Sequence, residues 1–267
     1  MRINIVGGTG KMGQVHAPIF REAGHEVIIS GRNSKISYEA AAKKADLTII
    51  SVPIEATEDI IRKVAPYCRA ITDFTSVKTL PLEWMLRYSP KDSEVAGLHP
   101  LYGEIGSING EAIIYCKTER TGRKCKNLIS ALANAGAKIY ETNPKTHDFT
   151  MAFTQLLRTR LFEAFYLTLA KAMKPLGLNA RDLYRYLSPP PTRVVMDLTA
   201  RQCNEENDAM YANMKRFNPY AEEAEKLFEK IFAADISKAP KKIREFFGSE
   251  LIPAQARAAE LIRKSKP

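Results

Sequence analysis

Short β-rich runs alternate with helix-length amphipathic segments through the first half of the chain. Residues 3–6, 26–30, 47–52, 70–74, 95–98 and 112–116 are strand candidates, rich in Ile, Val, Leu and Ala. Helical spacing fills the gaps between them, which predicts βαβ units and a parallel sheet. A helix over 122–135 and a strand over 137–140 complete this part. At Thr142-Asn143-Pro144-Lys145 a proline within a polar cluster breaks the periodicity, and no convincing strand follows. From His147 onward, Leu, Phe and Ala recur at helical spacing, interrupted at Pro175-Leu176-Gly177, Ser188-Pro189-Pro190-Pro191 and Asn218-Pro219. The expectation is two domains: an α/β parallel-sheet domain over 1–143 and an all-helical domain over 144–267.

Composition adds limits. The chain has 267 residues, long enough to bury two cores, and its 45% hydrophobic content excludes a disordered protein. The net charge of +10 is spread evenly, with 20 basic and 15 acidic residues in 1–145 and the same numbers in 146–267. No basic tail stands out, so an anionic small substrate explains the sign at least as well as nucleic acid does. Cys68, Cys116, Cys125 and Cys203 are scattered, without the spacing of a zinc or redox motif, and no secretory leader is read ahead of them. Reduced thiols in the cytoplasm are expected. The most apolar helical stretch, 161–177, contains Glu163, Lys171, Lys174 and Pro175 and is too polar to span a membrane.

The first strand candidate runs directly into Gly7-Gly8-Thr9-Gly10-Lys11-Met12-Gly13. This places a G-x-G-x-x-G, made by Gly8, Gly10 and Gly13, where a strand turns into a helix. Gly8 permits the tight turn, Gly10 lets backbone approach a pyrophosphate, and Gly13 lets helix and strand pack closely. Amides at the helix start then face the phosphates. Strand, glycines, helix and βαβ continuation together predict a Rossmann-type dinucleotide-binding domain and a nicotinamide-dependent oxidoreductase. Its cofactor contacts are expected at Gly8, Thr9, Gly10, Lys11, Met12, Gly13, Val52, Pro53 and Thr75. At the end of the second strand, where an NAD site carries an acidic residue, the chain reads Ser30-Gly31-Arg32-Asn33. Arg32 can pair with a 2′-phosphate, so NADP is favoured over NAD.

Other strand ends carry polar sequence: Ser51-Val52-Pro53-Ile54, Asp73-Phe74-Thr75-Ser76-Val77-Lys78 and Gly97-Leu98-His99-Pro100-Leu101-Tyr102-Gly103. Ligands bind at the carboxyl ends of parallel strands, so these segments are expected to converge on one crevice. Oxidising an alcohol by hydride loss needs a base for the hydroxyl proton, and an imidazole with an intrinsic pKa of about 6.5 suits the task. His99 is the best placed of the four histidines, with Ser76 as a hydroxyl able to fix its tautomer. His16 and His25 lie in or beside the first helix, where packing or capping is the simpler role. His147, at the start of the second domain, is ambiguous.

These residues resemble the prephenate dehydrogenase family of tyrosine biosynthesis over essentially the whole chain. The resemblance rests on Asp73-Phe74-Thr75-Ser76-Val77-Lys78, Leu98-His99-Pro100-Leu101-Tyr102-Gly103, and Gly136-Ala137-Lys138 through His147-Asp148 to Met151 and Gln155. It continues through the helix bearing Arg193 and Arg201, Met210-Tyr211-Ala212 and Asn218-Pro219. It implies NAD(P)-dependent oxidative decarboxylation of prephenate to 4-hydroxyphenylpyruvate, with His99 as proton acceptor, Ser76 beside it, no metal, and a homodimer formed through the helical domain.

The helical part is compatible with a doubly anionic substrate. On one helix, Arg193 and Arg201 stand about 80° apart around the axis and about 12 Å along it. The spacing alone is equally met by two surface arginines; the family resemblance implies Arg201 as the anchor of the ring carboxylate, with Arg193 supporting. Gln155, Arg158 and Thr159 fall within about 100° of one another if 147–160 is a regular helix, which makes them the remaining substrate candidates. Where many relatives carry a histidine after Gln-x-x-Arg, this chain has Thr159. Two other readings stay open: an arogenate, other cyclohexadienyl or small hydroxy-acid dehydrogenase, and a catalytically silent NADP-binding sensor.

Overall fold

The computed structural model describes residues 1–103, 105–203, 205–234 and 239–264; of residues 202 and 205–210 it describes the backbone alone. The side chain of Met210, part of the family resemblance, therefore lies outside the described residues. Two compact units are present, one formed by Met1–Met151 with Asn213–Pro219 and the other by Ala152–Ala212 with Tyr220–Pro267.

The first unit is a seven-stranded sheet in the order β2-β1-β3-β4-β5-β6-β7. The strands are β1 (Arg2–Val6), β2 (Glu26–Ser30), β3 (Leu47–Ile50), β4 (Ala70–Asp73), β5 (Glu94–Pro100), β6 (Ala112–Lys117) and β7 (Lys138–Thr142). Its helices are α1 (Lys11–Glu22), α2 (Tyr38–Lys44), α3 (Ile54–Val64), α4 (Thr79–Tyr88), α5 (Arg123–Asn134) and α6 (Pro144–Met151). Neighbouring positions on β1 and β3 bury to opposite faces. Ile5 and Ile49 join a core with Phe20, Leu128 and Leu132, whereas Val6 and Ile50 join one with Ile61, Val64 and Met85. Strands buried on both faces are what a doubly wound sheet requires.

Pairing is parallel except between β5 and β6, where His99 lies opposite Ile114 in an antiparallel register. The described residues of the link between these strands form no helix, and a parallel return needs a crossover of a dozen or more residues. The sequence pattern marked both strands but not this reversal.

The first unit also extends past the break expected at residue 143. Asn143 Oδ1 accepts from the Thr146 amide at 2.9 Å and its carbonyl accepts from the His147 amide at 3.0 Å, while Pro144 occupies the first helical position. The polar cluster is thus a helix start. The helix it opens buries His147, Asp148 and Met151 within the first unit, so the boundary lies after α6.

The second unit is helical. A π-helical stretch (Ala152–Leu157) leads into α7 (Arg158–Met173), followed by α8 (Ala180–Asp182), a second π turn (Leu183–Leu187), α9 (Pro190–Gln202) and α10 (Glu205–Phe217), whose end belongs to the first unit. Then come α11 (Ala221–Phe232), α12 (Ala239–Phe247) and α13 (Leu251–Lys264). Helix α9 packs against α7 and α13. The wider winding of 152–157 removes the regular 3.6-residue spacing assumed for 147–160, so the angular offsets expected among Gln155, Arg158 and Thr159 do not apply. No helix of the described residues is long and apolar enough to cross a membrane.

Candidate active site

The sheet order reverses between β1 and β3, and the glycine-rich loop sits at this switch point. Three of its glycines are required by contact. Gly7 has φ 81°, and a Cβ there would stand 2.2 Å from the Ser51 carbonyl oxygen. On Gly8 it would meet Ile29 Cδ1 at 2.6 Å, and on Gly13 it would meet Gly8 Cα at 2.3 Å. The left-handed residue of the turn is therefore Gly7, one position before the motif. Gly10 caps α1, no acidic side chain occupies its first turn, and Gln14 Nε2 donates to the Thr9 carbonyl at 2.8 Å. A cradle that Cβ atoms would fill, closed by a helix N-terminus without a carboxylate, fits a dinucleotide pyrophosphate.

At the end of β2, Ser30 is buried and its hydroxyl donates to Asn4 Oδ1 at 2.9 Å. Ser30 thus serves the interior, and Arg32, two residues on, is exposed. Val52 is half-buried and Pro53 exposed between β3 and α3, with the Pro53 carbonyl accepting from Thr57 Oγ1 at 3.1 Å.

A second polar cluster forms where β4 and β5 end. Asp73 and Lys78 form an ion pair with both side chains fully buried, and Lys78 Nζ also donates to the Leu98 carbonyl at 2.7 Å. The Thr75 amide donates to Asp73 Oδ2 at 3.1 Å, and the Thr75 hydroxyl lies between that oxygen and the Val77 carbonyl. This hydrogen-bonded turn holds the 73–78 segment beside β5, which carries His99.

His99 is only 4% exposed. Its Nδ1 lies 2.9 Å from His147 Nε2, and His147 Nδ1 lies 2.8 Å from Asp148 Oδ1. Asp148 in turn accepts from the Lys78 amide on Oδ1 at 2.7 Å and from the Thr79 amide on Oδ2 at 2.9 Å, capping α4. Asn218 Nδ2 donates to the Asp148 carbonyl at 2.8 Å, which ties 213–219 to this unit.

Burial holds the His99 imidazole well below its ordinary pKa, and His147 and the Lys78 ammonium push the same way. His147 is lowered chiefly by burial, against the pull of its bond to Asp148. Burial acts to raise the Asp148 carboxyl, but the hydrogen bonds from His147, Thr79 and Lys78 outweigh it and hold the group below the usual carboxylate value. Both imidazoles are therefore neutral and the carboxyl is ionised near pH 7, a combination suited to a base.

Ser76, expected to orient His99, is half-buried and has no hydrogen bond among the described residues; the partner of the ring is His147. His147, Asp148, Lys78 and Asp73 were not foreseen as site residues. The one sequence signal was the His-Asp pair inside a proline-started helix. His16 is packed, as read, but it is also engaged: Nδ1 meets the Met12 carbonyl at 2.7 Å and Nε2 meets the Tyr102 hydroxyl at 2.9 Å. It thereby ties the dinucleotide helix to the loop after His99.

In the second unit, Gln155 is half-buried and its Oε1 is buried without a hydrogen-bond partner among the described residues. Thr159 is fully buried; its hydroxyl donates to the Gln155 carbonyl at 2.9 Å and accepts from the exposed Arg158 at 3.2 Å. Arg193 and Arg201 share α9, as expected. Arg193 is half-buried with Nη1 on the Ser188 carbonyl at 3.0 Å, and Arg201 is exposed in the last turn.

Residues 17–141 match the family model of the prephenate dehydrogenase nucleotide-binding domain. The T-protein of Haemophilus influenzae is 35% identical over 181 residues, 66% of this chain and 47% of that protein. A probable arogenate/prephenate dehydrogenase of Methanocaldococcus jannaschii is 27% identical over 248 residues, 85% of this chain and 54% of that one. The chain thus spans about half the length of these relatives. Among solved structures, the A. aeolicus prephenate dehydrogenase in complex with hydroxyphenyl propionate and NAD+ superposes with a TM-score of 0.69 at 19% identity, covering 98% of both chains. With the glycine cradle and the His99 segment in place, the sequence matches identify residues 17–141 as a nucleotide-binding domain of the prephenate dehydrogenase family, and the solved structure shares the fold of the chain.

Proposed function

We propose that the protein oxidatively decarboxylates prephenate to 4-hydroxyphenylpyruvate, using NADP. The observation that carries this reading is a buried, neutral histidine, His99, at the end of a strand in a sheet whose switch point holds a dinucleotide cradle. The dinucleotide, when bound, supplies the hydride acceptor. His99 takes the hydroxyl proton of the substrate, and loss of the ring carboxylate as carbon dioxide with aromatisation drives the reaction forward. Ser76 is the proposed hydroxyl beside the reacting group. Gln155, Arg158, Thr159, Arg193 and Arg201 are the proposed substrate residues, with Arg201 on the ring carboxylate. Thr75, Val52, Pro53 and the residues of the glycine loop are the proposed cofactor contacts.

The choice of NADP rests on Arg32, exposed and free of a neighbouring carboxylate at the β2 end. A homodimer is proposed from the family resemblance and from the large apolar side chains exposed in the second unit, including Leu167, Leu176, Phe232, Phe246 and Ile252. A cytoplasmic location is part of the same reading.

Purified protein mixed with prephenate and NADP, followed by absorbance at about 340 nm, tests the activity, and arogenate in the same assay tests the substrate. His99→Asn lowers kcat by about two to four orders of magnitude with dinucleotide affinity retained. Arg32→Ala weakens NADP selectively, because the pyrophosphate contacts are shared with NAD. Absence of turnover with either substrate refutes the activity, and equal Kd values for NADP and NAD refute the cofactor choice.

A further inference from the structure

We propose that His147 and Asp148 are positioning residues that fix the tautomer of His99 and leave its Nε2 as the proton-accepting atom. The inference rests on the reading of His99 as the base. Its starting point is the carboxylate, whose protonation leaves no choice further along the chain of bonds.

Asp148 accepts hydrogen bonds from two backbone amides, at Lys78 and Thr79, on the first turn of α4. An ionised carboxylate so placed is acceptor only. The hydrogen on the 2.8 Å contact with His147 must therefore come from His147 Nδ1. A neutral imidazole has one N–H, so His147 Nε2 carries a lone pair. The 2.9 Å contact with His99 then requires the hydrogen on His99 Nδ1. Any other arrangement sets two lone pairs, or two N–H groups, against each other in a site closed to water. His99 Nε2 is left with its lone pair. The order of roles is that of a carboxylate holding an imidazole base in its working tautomer, lengthened by one histidine.

The same chain receives the proton during the reaction. The proton leaves the substrate hydroxyl for His99 Nε2 as the substrate is oxidised, a dinucleotide held in the glycine cradle being the group that would accept the hydride. The imidazolium formed can pass its Nδ1 proton to His147 Nε2, which brings the positive charge beside Asp148. Among the described residues the charged groups facing the two rings are Lys78, Asp73 and Asp148; Lys78 is held by Asp73 and the Leu98 carbonyl, so the Asp148 carboxylate is the one anion among them hydrogen-bonded to the pair. On product release the extra proton returns to water, and the chain is reset.

Asp148→Asn reverses the polarity of the chain. With its one oxygen kept on the Thr79 amide and the bond from the Lys78 amide given up, the Asn Nδ2 donates to His147 Nδ1, which moves the His147 hydrogen to Nε2 and the His99 hydrogen to Nε2, blocking the base. Side-chain ¹⁵N–¹H correlation spectra of the ligand-free protein read this directly. His99 is expected to be protonated at Nδ1 in the wild type and at Nε2 in Asp148→Asn. In parallel, kcat falls by about two to four orders of magnitude while dinucleotide Kd stays within about threefold. A purely structural role for Asp148 would move stability and Kd together and leave the tautomer unchanged.

Because Asp148 also caps α4, His147→Gln provides the second variant. It keeps the carboxylate on its two amides yet lowers kcat at least about tenfold with KM within about threefold. A wild-type His99 protonated at Nε2, or both folded variants with kcat within about threefold of wild type, overturns the proposal. The tautomer is measured without substrate. The expected spectra together with no turnover of prephenate or arogenate would therefore refute the proposed reaction and leave the positioning chain standing.

Discussion

Acidifying the protein from about pH 7.5 to about pH 5 removes about 2 kcal/mol of stability through His16 alone. The ring is fully buried between Phe74, at a centroid distance of 4.5 Å, and the Tyr102 ring, and both its nitrogens are hydrogen-bonded. Burial pulls its pKa down to about 4, against the smaller opposing effect of the Met12 carbonyl. In the unfolded chain the same group titrates at about 6.5. Between these values the unfolded state binds a proton that the folded state refuses. Stability from this residue is therefore complete above about pH 6.5, is lost as the pH falls toward about 4, and changes no further below that. The slope in the window approaches about 1.4 kcal/mol per pH unit. Urea unfolding followed by the fluorescence of Trp84, the single tryptophan, measures it for wild type and His16→Gln. His25, His99 and His147 are also lowered and contribute equally to both proteins, so the difference between the two pH dependences isolates His16. A fixed loss from the missing ring does not enter the slope. Equal losses in the two proteins, within about 0.5 kcal/mol, would refute the buried neutral state of this histidine.

Gly13→Ala forces the start of α1 away from Gly8, because the new methyl would lie 2.3 Å from a backbone atom. Stability drops by about 1–3 kcal/mol and dinucleotide affinity falls at least about tenfold. Gly10→Ala, whose nearest contact is 3.3 Å from the Gly7 carbonyl oxygen, costs less in a parallel urea titration. Lys78→Met leaves the Asp73 carboxyl without its partner at full burial and destabilises by about 3–5 kcal/mol, whereas pairing it with Asp73→Leu restores much of that loss. A single Lys78→Met variant as stable as the double one would show that the ion pair is dispensable.

Local chemistry was enough to locate the strands, the glycine loop, the switch to helix after β7 and the His99 segment. Each is a short pattern whose cause lies within a few residues: apolar runs flanked by turns, glycine where Cβ has no room, proline and asparagine at a helix start. Arg193 and Arg201 fell on one helix for the same reason, since helical spacing is a local property. The tertiary structure decided the rest. The reversal of β6 depends on a link whose described residues form no helix, and the extension of the first unit to Met151 depends on what α6 buries. The π turns at 152–157 and 183–187 leave no mark in a 3.6-residue pattern. That Ser30, at the same strand end as Arg32, turns its hydroxyl inward to Asn4 is likewise set by packing. Ser76, three residues from Asp73 and beside His99 in the expected crevice, was the obvious partner for the ring; the actual partner, His147, lies 48 residues away along the chain. A hydrogen bond to a buried imidazole is decided by which neutral donor or acceptor the packed core brings within about 3 Å, and sequence spacing carries no information about that distance.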